Sequence, residues 1–384
     1  MNSEALMRRA LELAERGRGR TSPNPMVGAV VARNGEIVGE GFHDHAGGPH
    51  AEVVALEAAG PRARGATLFV TLEPCNHVGR TPACVPAIFA AGITRVVAAA
   101  ADPNPFVTGG GVVALREQGV AVVTGVLQAE AIALNRVFFT AMRARRPHVT
   151  LKAAMTADGK IADVHGAARW ITGEASRAEA HRQRSEADAI VAGVTTILRD
   201  DPALTVRLDP PWPREPWRVV LDTSARTPPN ARVVAGATAA RALIAVGELA
   251  PDERVAALRS AGATVVRCPL HKGRVALQAV LAALFEREVR AVLVEGGGEV
   301  HASFLDAGLV DRVTLFVAPL LLGGQTAPTA VGGAGRELKS AIRLGTMTAR
   351  AVGEDVLIEA DVATDDSSPD RRSGGALRSR PGGE

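Results

Sequence analysis

The stretch TLFVTLEPCNHVGRTPACVPAIFAAGITRVVAAA, residues 67–100, decides the fold. Thr67–Leu72 is a short apolar run of the kind found in buried strands, and Thr94–Ala100 is a second. Between them Val85–Ala91 predicts a helix. Working toward the N-terminus, Ala51–Ala59 predicts a helix ending at Gly60-Pro61. Val27–Ala32 and Ile37–Phe42 flank Asn34-Gly35, a strong hairpin signal. Ser3 is the expected N-cap of a first helix with Leu6, Ala10, Leu13 and Ala14 on one face, stopped by Gly17. Toward the C-terminus come helix Val112–Gln118, strand Val120–Val123 and helix Ala129–Met142. This alternation predicts an α/β sheet covered on both faces.

Arg143–Pro147, reading RARRP, is charged and closed by Pro, as a linker would be. A second α/β series follows. Its strands are His148–Met155, Ala189–Ala192, Val219–Leu221, Leu243–Val246, Thr264–Arg267, Val289–Val294, Arg312–Val317 and Val356–Val362. Its helices are Ala175–Ser185, Asp252–Ala261 and Val275–Phe285. The expected domains are therefore 1–145 and 148–363. Residues 364–384 form a Gly/Ser/Pro-rich tail expected to be disordered. The chain of 384 residues is 47% hydrophobic and 22% charged, a folding composition. A net charge of +3 and the absence of Tyr argue against a nucleic-acid surface. Three Cys rule out a disulfide-stapled secreted fold. With no signal-like or membrane-spanning run, a cytoplasmic protein is expected.

His50-Ala51-Glu52 opens a predicted helix, Pro74-Cys75 follows a strand, and Cys84 heads the next helix. One imidazole and two thiolates are a good Zn2+ set with a fourth position left for water. A bound zinc ion lowers the pKa of that water toward about 7. Helix N-termini also favour thiolates. Glu52, as a non-ligand carboxylate beside the metal, suits a proton carrier. His-x-Glu followed by Pro-Cys is the pattern of zinc deaminases, although eight residues separate the two cysteines instead of two. A closed structural site with His77 as fourth ligand, or two free buried cysteines, stays open as the alternative. So does a non-catalytic zinc scaffold.

The blocks TSPNPMVGAV (21–30), HAE (50–52), EPCNHVGRTPAC (73–84) and DPNP (102–105) resemble the deaminase half of the bifunctional riboflavin-biosynthesis deaminase/reductase family. In that family the long insert between cysteines is the rule, usually ending Thr-Pro-Pro-Cys where this chain has Thr81-Pro82-Ala83-Cys84. The resemblance implies a cytidine-deaminase-like three-layer α/β/α domain, zinc on His50, Cys75 and Cys84, and Glu52 as proton shuttle. It also implies Asn24 and His77 in the substrate pocket.

In the second half, VEGGG (294–298) follows an apolar strand and precedes a helix, which suits an anion. It does not match G-x-G-x-x-G. Alone, such turns and single arginines read more simply as tight turns and solvated charges. LKAAMTADGKIA (151–162), WITGEASR (170–177), AGVTTILRDDPALTVR (192–207) and VEGGG together resemble the reductase half of the same family. That implies a dihydrofolate-reductase-like α/β domain using NADPH. By position, Ala154, Trp170, Thr196, Asp200 and Gly296, Gly297 and Gly298 contact the cofactor. Lys152, Ala168, Arg184, Leu204, Arg207 and Glu295 contact a pyrimidine ribose phosphate. Ala168 stands where the family often has Ser, so a hydroxyl contact is absent there. The implied activity is hydrolytic deamination of a diaminopyrimidine ribose phosphate, then NADPH reduction of the ribosyl group. A homo-oligomer, dimer or tetramer, paired through the reductase halves is implied as well. The runner-up is a nucleoside or tRNA deaminase fused to an unrelated or inactive reductase.

Overall fold

A computed structural model describes residues 2–363, apart from 78, 80, 106, 108 and 236–238. The expected tail, 364–384, lies outside the described residues. The chain first forms α1 (Ser3–Glu15), the strands β1 (Gly28–Arg33) and β2 (Glu36–Phe42), α2 (Ala51–Ala59), β3 (Thr67–Leu72) and α3 (Cys84–Ala90). Then come β4 (Arg95–Ala100), α4 (Gly110–Glu117), β5 (Ala121–Thr124), α5 (Gln128–Leu134) and α6 (Arg136–Ala144). The sheet order is β2-β1-β3-β4-β5. The β1 strand pairs antiparallel with β2 and β3, and β3, β4 and β5 run parallel.

Successive side chains of a strand point to opposite faces, and here each face has its own helices. Ala29, Val31, Leu68, Val70, Val96 and Ala98 pack with Ala51 and Ala55 of α2, Ile88 of α3 and Leu115 of α4. Val30, Phe69, Val97 and Ala99 pack with Leu6 and Met7 of α1, Ala131 of α5 and Phe138 of α6. This is the expected three-layer arrangement. Two local expectations fail. The N-cap of α1 is Asn2, whose side-chain oxygen accepts from the Ala5 amide, so Ser3 is already helical. The helix expected over Ala129–Met142 breaks at Asn135, because the Asn135 amide pairs with both backbone groups of Met26.

The second half begins with β6 (His148–Thr156), α7 (Glu174–Glu186), β7 (Ala189–Gly193), α8 (Val194–Asp200), β8 (Trp217–Leu221) and β9 (Ala242–Gly247). It continues through α9 (Asp252–Ser260), β10 (Thr264–Cys268), a small hairpin of β11 (Leu270–His271) and β12 (Arg274–Val275), α10 (Leu277–Glu286) and β13 (Ala291–Val294). It ends with α11 (Gly298–Asp306), β14 (Arg312–Ala318), β15 (Thr348–Val352) and β16 (Asp355–Asp361). Sequence reading did not anticipate α8, which is only seven residues long, or β15, whose residues are mostly exposed and carry no core pattern.

Two compact units result. Unit 1 is Met1–Val149 with Arg177–Gly297, and unit 2 is Thr150–Ser176 with the segment from Gly298. In unit 1, β10, β9, β8, β7 and β13 are neighbours in that order and all parallel. In unit 2, β6 and β14 are parallel, and β16 lies antiparallel between β14 and β15.

Helix α2 sits very close to β2. An added Cβ at Gly41 would lie 2.5 Å from the Ala55 nitrogen and 2.6 Å from the Ala51 oxygen, so only glycine permits this approach. Gly41→Ala is expected to cost about 1–3 kcal/mol in chemical denaturation, as overpacking does. Gly110→Ala is the control: nothing lies within 4 Å of its Cβ, and it begins a helix. It should leave stability unchanged or raise it by up to about 1 kcal/mol.

Candidate active site

His50 is the N-cap of α2, but its ring makes no capping bond and is free to face the loop after β3. That loop leaves β3 through Glu73 and Pro74, and Cys84 is the first residue of α3. The Cys75 carbonyl accepts from the Cys84 and Val85 amides at 3.1 and 3.3 Å, closing the eight-residue insert onto the start of α3. The result is a triad of ligand atoms. His50 Nδ1 lies 3.1 Å from Cys84 Sγ and 3.6 Å from Cys75 Sγ, and the sulfurs are 3.6 Å apart. A tetrahedral zinc ion with bonds of about 2.3 Å to sulfur and 2.0 Å to nitrogen needs ligand separations of about 3.5–3.8 Å. The donor set fits zinc, and two of the three separations meet that spacing, while the 3.1 Å between His50 Nδ1 and Cys84 Sγ would have to open by about 0.4 Å to admit the ion.

For Nδ1 to offer its lone pair, Nε2 must carry the proton. Thr81 Oγ1 stands 2.9 Å from Nε2 to receive it, an outer contact that orients the ring. The Cys84 thiol, helped by the His50 ring, holds Cys75 below the ordinary thiol range, and the same sharing raises Cys84. Among the described residues no fourth His, Cys, Asp or Glu joins the three. His77, the alternative fourth ligand, lines the neighbouring cavity instead.

Glu52 sits in the first turn of α2 and is only 4% exposed. Burial raises its carboxyl above the usual range, the direction that suits a proton carrier. Glu52 and two of the ligands, His50 and Cys75, border a cavity of about 310 Å³. Asn24, His43, His77, Asp102, Asn104, Phe138 and Met142 line it too, with Glu288 and Arg290 from unit 1's second segment.

Three contributors escaped sequence reading. His43 is buried, and burial lowers its pKa. Its Nδ1–H donates to the Pro49 carbonyl at 2.9 Å, so Nε2 accepts from Asn24 Nδ2 at 3.1 Å. Buried Glu73 accepts from the amides of Asp102, Gly109 and Val112 at 3.1–3.3 Å, pinning the start of α4 beside Pro74. Burial also raises Asp102 to about 6. Local sequence carries no signal for the role of Glu73, because its partners lie 29–39 residues away.

In the second half, unit 1 brings Arg184 and Glu295 together in a two-pronged ion pair, 2.7 Å on each prong, with Arg184 Nη1 also donating to the Thr205 carbonyl. Leu204 is buried beside that turn, and Arg207 stacks its donors on His181 at 3.1–3.2 Å. Thr196 and Asp200 lie on α8, half-buried, while Gly296 and Gly297 follow β13. In unit 2, Lys152 and Ala154 lie on β6, with Lys152 Nζ 5.6 Å from the Phe316 ring. Ala168 is exposed, as is Trp170. Gly298 opens α11, where an added Cβ would lie 2.4 Å from the Thr329 oxygen.

Residues 1–100 match the cytidine and deoxycytidylate deaminase zinc-binding region, and residues 147–358 match the RibD C-terminal domain. The riboflavin biosynthesis protein RibD of Actinobacillus pleuropneumoniae is 42% identical over 92% of this chain and 93% of its own. That of Aquifex aeolicus is 43% identical over 92% of this chain and 96% of its own. The Acinetobacter baumannii RibD structure superposes with a TM-score of 0.85 at 34% identity, covering 94% of this chain and 99% of that one. A Thermotoga maritima diaminohydroxyphosphoribosylaminopyrimidine deaminase/5-amino-6-(5-phosphoribosylamino)uracil reductase superposes at 0.80 with 37% identity over the same shares. No helix among the described residues is long and apolar enough to cross a membrane. A zinc-type triad, a buried carboxyl, a second α/β half and relatives matched nearly end to end converge, and the chain belongs to the RibD family of bifunctional riboflavin-biosynthesis deaminase/reductases.

Proposed function

We propose that deamination takes place in the cavity beside His50, Cys75 and Cys84, with Glu52 as its proton carrier. The observation that carries this is the spacing of the three ligand atoms around one point with a buried carboxyl lining the same cavity. His50, Cys75 and Cys84 would hold the zinc ion, which when bound acts as a Lewis acid and makes water nucleophilic at neutral pH. The water oxygen adds to the amine-bearing carbon of the diaminopyrimidine ribose phosphate. Its two protons end on the ring nitrogen and on the departing ammonia, and Glu52 carries them. Asn24 and His77 face the pyrimidine and ribose, and His43 orients the Asn24 amide.

The halves are assigned as 1–145 for deamination and 148–363 for reduction. In the second, Lys152, Ala168, Arg184, Leu204, Arg207 and Glu295 receive the ribose phosphate. Ala154, Trp170, Thr196, Asp200 and Gly296–Gly298 receive NADPH, which when bound supplies the hydride for C1′. The Arg184 fork is already aligned by Glu295 and the Thr205 carbonyl, so little side-chain freedom is lost on binding. The chain is assigned to the cytoplasm as a homo-oligomer paired through its reductase halves, which sedimentation of the full chain tests.

Glu52→Gln should retain one zinc per chain while deamination falls about 10²–10⁴-fold, and reduction of the deaminated intermediate should be unchanged. Ammonia release and metal analysis read this directly. Undiminished turnover, or turnover of cytidine or an RNA stem-loop in place of the diaminopyrimidine phosphate, would refute the assignment. Cys75→Ser should lose the metal and deamination together. Arg207→Ala removes an exposed cation and should raise KM for reduction about 10–100-fold, the worth of one charged hydrogen bond. Its melting temperature and deamination rate should not move.

A further inference from the structure

We propose that Asp188 is a positioning residue for deamination, acting from the reductase half by fixing two walls of the zinc-cluster cavity against each other. This rests on the assignment of that cavity to deamination. The residues involved all belong to unit 1.

One wall of the cavity includes Pro23, Asn24 and Pro25, and another includes Glu288 and Arg290. Both are tied to a single carboxylate oxygen. Asp188 Oδ2 accepts from Ser22 Oγ at 2.7 Å, from the Arg290 amide at 2.7 Å and from the Ala291 amide at 2.9 Å. The other oxygen, Oδ1, accepts from Arg214 Nη2 at 2.5 Å, and Arg214 Nη1 reaches the Ser22 carbonyl at 3.4 Å.

The anchor itself is tied into the sheet through its backbone. The Asp188 amide donates to the Ala291 carbonyl at 2.9 Å and its carbonyl accepts from Trp217 at 2.8 Å, so its backbone is held between β13 and β8. The side chain is 6% exposed. The same junction is extended by Arg18 with Glu186 and by Gly19, whose added Cβ would lie 3.0 Å from the Trp212 ring.

From Ser22 the constraint passes to the substrate. Two prolines bracket Asn24, and the Asn24 amide closes a turn onto the Thr21 carbonyl at 2.9 Å, leaving little slack between Ser22 and the Asn24 side chain. Asn24 bonds His43, and His43 bonds the carbonyl of Pro49, the residue before the ligand His50. A displacement at Ser22 therefore reaches the pocket wall, and misplacement of a substrate-binding group by about 1 Å can cost about 10²-fold in rate.

The test uses the full-length, zinc-loaded enzyme with Ser22→Ala and Ser22→Thr. Ser22→Ala breaks the link on the deaminase side and leaves the Asp188 bonds to residues 290 and 291 in place. We expect about a tenfold loss in kcat/KM for deamination, with zinc content and reduction of the deaminated intermediate within about twofold of the parent. Ser22→Thr keeps the hydroxyl and should recover most of the loss. Unchanged deamination in Ser22→Ala would overturn the proposal. So would an equal fall in both activities, or a loss proportional to lost zinc, since either marks a merely structural role. Glu52→Gln in the same assay separates the two readings. If it abolishes deamination while Ser22→Ala does nothing, only the role of Asp188 fails. If neither variant affects deamination, the cavity assignment fails first.

Discussion

Three donor atoms from three chain segments must come within bonding reach of one cation, and the architecture of the first half follows from that demand. His50 comes from the start of α2, Cys75 from the loop after β3 and Cys84 from the start of α3. Strand β3 lies in the middle of its sheet, so its end is fixed from both sides. The helices reach it because glycines let backbones touch. An added Cβ at Gly39 would sit 2.3 Å from the Ala55 oxygen, and one at Gly111 would sit 1.8 Å from the Pro74 oxygen. The second contact brings α4 directly against the residue before Cys75.

Two buried glutamates near the cluster illustrate how environment divides roles. Glu73 accepts three backbone N–H groups at the beginning of α4, a setting that compensates a buried anion through hydrogen bonds and the helix dipole. It holds the loop. At Glu52 burial outweighs the hydrogen bonds it makes and lifts its pKa. A raised carboxyl pKa brings the two protonation states of Glu52 closer in free energy at neutral pH, which suits a proton carrier.

The same logic recurs in the second half. The Arg184–Glu295 pair is mostly buried, and its geometry satisfies both partners, with Thr205 taking a further donor. Breaking such a pair leaves an unpaired buried charge, which costs more than the pair contributes. Asp188 combines four donors on one carboxylate and joins segments 166 residues apart. Asp188 thereby bonds Ser22 of the first half and the start of β13 at once.

Local pattern determined much on its own. The alternation of strands and helices, the Asn34-Gly35 hairpin and the zinc donors at helix starts were legible because each depends on neighbouring residues or on the chemistry of a side chain. Helix α2 and strand β3 fall where the periodicity places them, Ala51–Ala59 and Thr67–Leu72. Tertiary structure alone decided the break at Asn135, which depends on Met26, 109 residues away. It also decided that His77 stays outside the ligand set, that His43 and Glu73 serve the site, and that Arg290 reaches the first half's cavity. The physical reason is one of range. Periodicity and capping report what a residue prefers beside its neighbours, whereas a buried polar atom must find whichever partner the folded chain brings to it.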